Sequence, residues 1–162
     1  MNMVVSPERN QPEIIDIVPG RVGAMLGAAV AMMPSSPVHR DWTVTDVARL
    51  IGPPLLLRQC FAFDDGLNIR GFVTWANLTE EAEAGFLART RLLQPEDWNA
   101  GDGSRIWIID ALMPFGGVLG MLRRVAKEMR AIMDANNWPA TEVKWTRTLG
   151  TDRVQHVGSI KR

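Results

Sequence analysis

The apolar and polar positions near the start of the chain predict two helices. The run VGAMLGAAVAMM is almost uninterrupted and stops at Pro34, so it predicts a buried helix from about Gly20 to Met33 whose small residues allow close packing. A short second helix follows, capped by Thr43 or Thr45, and it ends before Gly52-Pro53-Pro54. The first run is too short to span a membrane, which takes about 20 apolar residues.

The middle of the chain carries a strong hairpin signal. Two apolar runs, Leu55 to Phe63 and the stretch from Leu67 onward, flank Asp64-Asp65-Gly66, and an Asp-Gly turn between such runs is typical of a β-hairpin. Thr79 is in position to cap the next helix, whose first turn is rich in glutamate.

The second half predicts a strand, a long helix and a strand. Arg105 to Met113 does not alternate and is read as a strand covered on both faces. From Gly117 the apolar residues recur at helical spacing, and TEVKWTRTL predicts a last strand before a polar tail at 150–162. Residues 1–12 are read as loose. The order α, α, β, β, α, β, α, β predicts one α/β domain over residues 1–162, with a mixed sheet flanked by helices.

The composition restricts the kinds of binding partner more than it restricts the kind of reaction. The 18 basic and 18 acidic side chains cancel, which argues against nucleic acid as the main partner. The single cysteine, Cys60, cannot form an intrachain disulfide, which is compatible with the cytoplasm. No glycine-rich phosphate loop of the GxxxxGK[ST] type occurs, and the histidines and cysteine lack the spacing of a metal site.

Two residues stand out as candidates for chemistry. Asp110 interrupts the apolar run Arg105 to Met113, and a buried carboxylate is costly unless it is paired. It either caps the turn that follows or meets an imidazole, which it would orient and stabilise in its charged form. Of the two histidines, His156 lies in the polar tail, so His39 is the better partner. Ser36 and Cys60 are weaker candidates as nucleophiles, because a helix cap and a core position explain them as well.

Several motifs together resemble the toxin-activating lysine acyltransferases, which fatty-acylate RTX (repeats-in-toxin) protoxins. They occur in the family's order: SSPVHRDW at 35–42, FVTWANLTEEAE at 72–83, EDWNAGD at 96–102 and WIIDALMPFG at 107–116. The resemblance implies a fold similar to the GCN5-related N-acetyltransferases, a homodimer, and no bound cofactor. It implies acyl carrier protein as the donor's carrier and an internal lysine of a protoxin as the acceptor.

The resemblance also assigns residues. The family's essential histidine and aspartate fall on His39 and Asp110, and its conserved-motif serine falls on Ser36, where a supporting role fits better than attack on the acyl group. The family's Trp-Ala-Asn and Gly-Asp motifs place further importance, without a mechanism, on the residues Trp75, Asn77, Gly101 and Asp102.

The implied chemistry suits a histidine base. A lysine amine has a pKa of about 10.4 and must lose a proton before it attacks a thioester. His39, held by Asp110, would take that proton; the rival route has His39 or Ser36 carry the acyl group first. Two other readings stay open: acyl transfer to a different protein or amine, and a non-catalytic module that binds an acyl carrier or a protein. The link at 103–106 and the C-terminal part depart from the family pattern.

Overall fold

A computed structural model describes residues 13–15, 19–89, 91–148 and 155–161; residues 1–12, predicted to be loose, lie outside this part of the chain. The elements alternate between helix and strand in an α/β order. Their bounds are β1 (Glu13–Ile15), α1 (Val22–Met32), α2 (Val44–Leu50), α3 (Gly52–Leu56), β2 (Cys60–Asp64), β3 (Ile69–Asn77), α4 (Glu80–Ala88), β4 (Ile106–Leu112), α5 (Val118–Ala135), β5 (Glu142–Thr148) and β6 (Gln155–Lys161).

The strands form one mixed sheet in sequential order from β1 to β6. Every neighbouring pair is antiparallel except β4 and β5, which are parallel because α5 carries the chain back across the sheet. The prediction of a mixed sheet flanked by helices is confirmed.

Helices cover both faces of this sheet. The amphipathic α5 packs on one face, where it buries Met121, Val125, Met129 and Met133 against the side chains of β3 and β4. The other face is covered by α1 and α3, with α4 packed toward the end of β3. Within the described ranges, no helix is both long and apolar enough to cross a membrane.

Local capping and turn chemistry place several elements where the sequence predicts them. Thr43 begins α2 with a capping box, since its side chain accepts a hydrogen bond from the Asp46 amide while the Asp46 carboxylate accepts from the Thr43 amide. Thr79 caps α4 by accepting from the Ala82 amide. Gly66 has φ of 88°, the conformation that the β2–β3 turn requires.

The expectation of a strand from Leu55 to Phe63 is wrong in its first half. Helix α2 does end before Gly52-Pro53-Pro54, but these residues open the helix α3, because prolines in a first helical turn have no amide to satisfy. The chain then turns through Arg58, which has φ of 57°, and β2 begins only at Cys60.

The expectation that TEVKWTRTL forms the last strand is also wrong. Residues 155–161 form β6, which pairs with β5 over its whole length. Gly158 lies opposite Trp145, and a side chain there would come within 2.5 Å of the indole ring. The short edge strand β1, which no sequence pattern predicted, closes the other side of the sheet against β2.

Helix α1 is only half buried, in contrast to the expectation of a buried helix. Met25, Ala29 and Met32 face the sheet. Gly23 and Gly27 are exposed, and a side chain at either position would meet no atom within 4 Å. These two glycines of α1 therefore do not serve close packing within the described part of this chain, whereas Ala28 and Ala29 do pack there.

Candidate active site

The turn between α1 and α2 holds His39 in place through its own backbone. The amides of His39 and Arg40 both donate to the Ser36 carbonyl, at 3.1 and 3.0 Å, and the Trp42 amide donates to the His39 carbonyl at 3.0 Å. The Ser36 amide in turn donates to the carbonyl of Met33, the first residue of the 3-10 turn that follows α1. This compact turn directs the His39 ring inward, and the side chain is buried with 2% exposure.

A β-bulge brings Asp110 to the same side of the sheet. Thr74 of β3 pairs with Asp110 but Trp75 pairs with Ile108, so Ile109 is an extra residue on β4. Side chains alternate along a strand, and one inserted residue moves all that follow to the opposite face. Ile106 and Ile108 therefore pack under α5, whereas Leu112 packs under α1. Without the bulge, the Asp110 carboxylate would point into the apolar core beneath α5.

Ser36, His39 and Asp110 form a hydrogen-bonded chain. His39 Nε2 lies 2.9 Å from both carboxylate oxygens of Asp110, which is 71 residues away in the sequence. The Ser36 Oγ lies 2.6 Å from His39 Nδ1. An ionised carboxylate only accepts hydrogen bonds, so Nε2 carries the proton donated to Asp110. In the neutral ring Nδ1 then accepts from the Ser36 hydroxyl, which makes Nδ1 the basic nitrogen.

The three groups differ in their access to solvent. Ser36 and His39 are buried, and the Trp42 ring packs on the imidazole with centroids 4.7 Å apart. The Asp110 side chain keeps 16% exposure. Through Asp110 the chain of hydrogen bonds therefore reaches a surface that substrates can occupy.

That surface is an apolar pocket of about 330 Å³. Its walls come from the turn that holds His39, from α2, from the end of α4 and the segment after it, and from the bulge of β4. Of the side chains that line it, only Asp110 was proposed as a site residue from the sequence. The lining residues are Trp42, Leu50, Phe86, Arg89, Arg91, Leu92, Leu93, Ile109 and Asp110. Concave, mostly apolar sites with a few polar groups are typical of small-molecule binding sites.

The other residues singled out by the resemblance lie away from this pocket. Trp75 packs in the core beneath α5, with its ring 6.0 Å from that of Trp138. Asn77 donates from Nδ2 to the Gly101 carbonyl at 2.9 Å, and its Oδ1 accepts from the Gly103 amide at 3.0 Å. A side chain at Gly101 would come within 2.4 Å of Asn77 Oδ1. These contacts hold the loop before β4 against the end of β3, which is a structural role.

Asp102 stabilises the same loop. Its carboxylate accepts from the amide and the hydroxyl of Ser104, and these hydrogen bonds hold the pKa of Asp102 below its usual value. Gly103, in the link at 103–106, adopts φ of 85°, and a side chain there would overlap Trp138. Its carbonyl accepts from the Ala140 amide.

Two further side chains stand beside Asp110 on the sheet. Thr74 pairs with Asp110 on one side and with Cys60 on the other. Burial, and secondarily the charge of Asp110, raises the pKa of the Cys60 thiol. Cys60 is therefore a neutral core residue. His156 lies in β6, paired in register with Arg147 of β5.

The described residues contain no group of three or more His, Cys, Asp or Glu side chains that could hold a metal ion. The candidate site is a Ser-His-Asp hydrogen-bonded chain beside an apolar pocket. Such a chain can accept a proton and can activate a nucleophile.

Comparison with known proteins places the chain in a family. The RTX toxin acyltransferase family profile matches residues 19–159, a range that includes His39 and Asp110. The chain belongs to this family.

Individual relatives are similar over part of their length. The RTX-II toxin-activating lysine-acyltransferase ApxIIC of Actinobacillus pleuropneumoniae is 41% identical over 93 residues, which are 57% of this chain and 56% of the relative. The leukotoxin-activating lysine-acyltransferase LtxC of Aggregatibacter actinomycetemcomitans is 38% identical over 57% of this chain and 54% of its own. The protein-lysine myristoyltransferase HlyC of Escherichia coli is 35% identical over 57% of this chain and 52% of its own. The chain thus spans a little over half the length of these relatives.

Proposed function

We propose that this protein transfers a fatty acyl group from acyl carrier protein to the side-chain amine of an internal lysine in an RTX protoxin. Its relatives are named for lysine acyl transfer and toxin activation. The observation that carries the proposal is the hydrogen-bonded pair of His39 and Asp110 at the edge of an apolar pocket. The proposal includes a cytoplasmic reaction, a homodimer, and no bound cofactor.

His39 acts as the general base in this proposal. The acceptor ammonium gives up its proton to His39, and the free amine attacks the thioester carbonyl carbon. The carbon–sulfur bond then breaks, and the proton lost from the attacking nitrogen leaves with the sulfur as the carrier thiol. The proton taken from the ammonium ends on His39 Nδ1, and the Ser36 oxygen then accepts a hydrogen bond from the charged ring. Asp110 then faces a charged imidazolium, which the carboxylate stabilises.

The oxyanion of the tetrahedral intermediate needs hydrogen-bond donors. The ladder between β4 and β5 ends at the pair Ile108 and Trp145. Beyond this pair, the β4 backbone at the bulge is not paired with β5. Backbone amides of this stretch of β4 serve as the donors to the oxyanion.

Two arginines at the pocket have the charge that would attract a negatively charged carrier protein. Arg89 and Arg91 line it together with the apolar side chains, and Arg91 additionally pairs with Asp97. Positive side chains around the pocket suit an acidic carrier protein.

The hydrogen bond between Ser36 and His39 favours one rival route. A serine bonded to the basic nitrogen of a histidine, with a carboxylate on the other nitrogen, is the arrangement of a nucleophilic triad. In that route Ser36 carries the acyl group as an ester before the amine receives it.

A reconstituted transfer tests the proposed function. The protein is incubated with myristoyl-loaded acyl carrier protein and a fragment of an RTX protoxin, and the product is mapped by peptide mass spectrometry. The expected result is one acyl group on a lysine of the fragment and stoichiometric release of the carrier thiol. Discharge of the carrier without acylation of the fragment would assign a different acceptor. If the carrier is not discharged and the fragment is not acylated, only a binding role would remain for this protein.

A further inference from the structure

The pocket beside Asp110 is built for an aliphatic chain. We propose that it holds the acyl chain of the donor, with the thioester at Asp110 and the methyl end between Phe86 and Leu93. This inference rests on the proposed function, and it adds the residues that select the length of the chain.

The direction of the pocket follows from β4. Asp110 and the bulged Ile109 line one end, next to Trp42, which packs on the His39 ring. Phe86 lines the pocket from α4, and its ring packs on Trp107 with centroids 5.6 Å apart. Trp107 precedes Asp110 by three residues, which is about 10 Å along a strand. A chain entering at Asp110 therefore runs over Ile109 toward Phe86.

The size of the pocket suits a fatty chain. A cavity of about 150 Å³ in another protein accommodates benzene. At about 330 Å³, this pocket has room for roughly twice as many carbon atoms, on the order of a dozen. The stem of an acceptor lysine has four methylenes and would leave most of that volume unfilled.

The lining supports the same occupant. Apart from Asp110 at one end and the two arginines, every lining side chain is a tryptophan, leucine, isoleucine or phenylalanine. Leu93 is almost fully buried, whereas Leu92 is 58% exposed, so the segment after α4 forms both a wall and an outer rim. Burial of each methylene in such a lining is worth about fourfold in binding.

Two substitutions with opposite effects test this assignment. Leu50→Trp fills the pocket from α2, and Phe86→Ala enlarges its far end. Leu67→Trp is the matched control, because Leu67 lies in the β2–β3 turn with 88% exposure. For each protein, kcat/KM is measured with octanoyl-, lauroyl-, myristoyl- and palmitoyl-loaded acyl carrier protein and one protoxin fragment.

We expect Leu50→Trp to lower kcat/KM for myristoyl relative to octanoyl donors by tenfold or more. Phe86→Ala should raise kcat/KM for palmitoyl relative to myristoyl donors by up to about fifteenfold, because palmitoyl has two more methylenes to bury. Leu67→Trp should keep the wild-type profile. Active variants that all keep the wild-type profile would overturn the inference and leave the proposed function intact. A higher KM for the fragment with every donor would also overturn it, by assigning the pocket to the acceptor. Wild-type protein that transfers no acyl group from any donor would overturn the proposed function itself.

Discussion

Replacing Asp110 with asparagine removes one charge from the candidate site and little else. The amide oxygen can still accept from His39 Nε2, so the ring keeps its tautomer and one of its two contacts at 2.9 Å. What is lost is the attraction between the carboxylate and the imidazolium that forms during proton transfer. At about 4 Å between charge centres and an effective dielectric constant of about 20, this attraction is worth about 4 kcal/mol. That energy corresponds to a loss of about a thousandfold in rate.

The assay is the single-turnover rate of acyl transfer with saturating acyl carrier protein, together with the melting temperature of each protein. Asp110→Asn is expected to lose about three orders of magnitude in rate with little change in melting temperature. Asp41→Asn is the control, since it makes the same chemical change at a side chain with 88% exposure. An Asp110→Asn protein that keeps more than a tenth of the wild-type rate would refute the electrostatic role of this carboxylate.

Three further predictions follow from individual contacts. Ser36→Ala should lower the transfer rate tenfold to a hundredfold without abolishing it, because water can replace the hydroxyl at Nδ1; complete loss, with an acyl-serine trapped in the wild type, would favour the nucleophilic route. Gly101→Ala should destabilise the protein by about 2 kcal/mol in urea unfolding, because the new methyl group overlaps the Asn77 side chain. Gly27→Ala, in open space on α1, should instead stabilise it by up to about 1 kcal/mol, and equal effects at both glycines would contradict the packing argument. Because burial raises the pKa of Cys60, the thiol is neutral in the folded and unfolded states below about pH 8.5 and ionises only in the unfolded state above it. The free energy of unfolding of the wild type minus that of Cys60→Ala should be constant below that pH and should fall by about 1.4 kcal/mol per pH unit above it. A difference that stays constant up to pH 10 would show that the thiol is accessible in the folded protein.

Local signals in the sequence were sufficient for much of the secondary structure. Thr43, Thr79 and the Asp-Gly turn act on residues within four positions of themselves, so their effects can be read without a tertiary structure. Pro53 and Pro54 were ambiguous, because proline both ends a helix and opens one. Strand β6 is polar and depends on pairing with β5, which no local pattern encodes.

The candidate site could be predicted only in part, because it also depends on contacts between distant segments that no local pattern encodes. The isolated Asp110 in an apolar run and the scarcity of histidines indicated a pair, and the family motifs named both residues. The bulge at Ile109 could not be predicted from the sequence. A bulge shifts the alternation of apolar and polar residues along a strand, and this apolar run has no such alternation. The pocket could not be predicted either, because Leu50, Phe86 and Leu93 come from separate segments and look like ordinary core residues.

The most direct test of the account is intact-protein mass spectrometry of an RTX protoxin fragment after incubation with acyl-loaded carrier protein. Wild-type protein is compared with its His39→Ala and Asp110→Ala variants, each shown to be folded by its melting temperature. The account predicts a gain of one acyl mass on the fragment with the wild type and none with either variant in the same time. A fragment acylated at the wild-type rate by either variant would contradict the assignment of His39 and Asp110 as the catalytic pair.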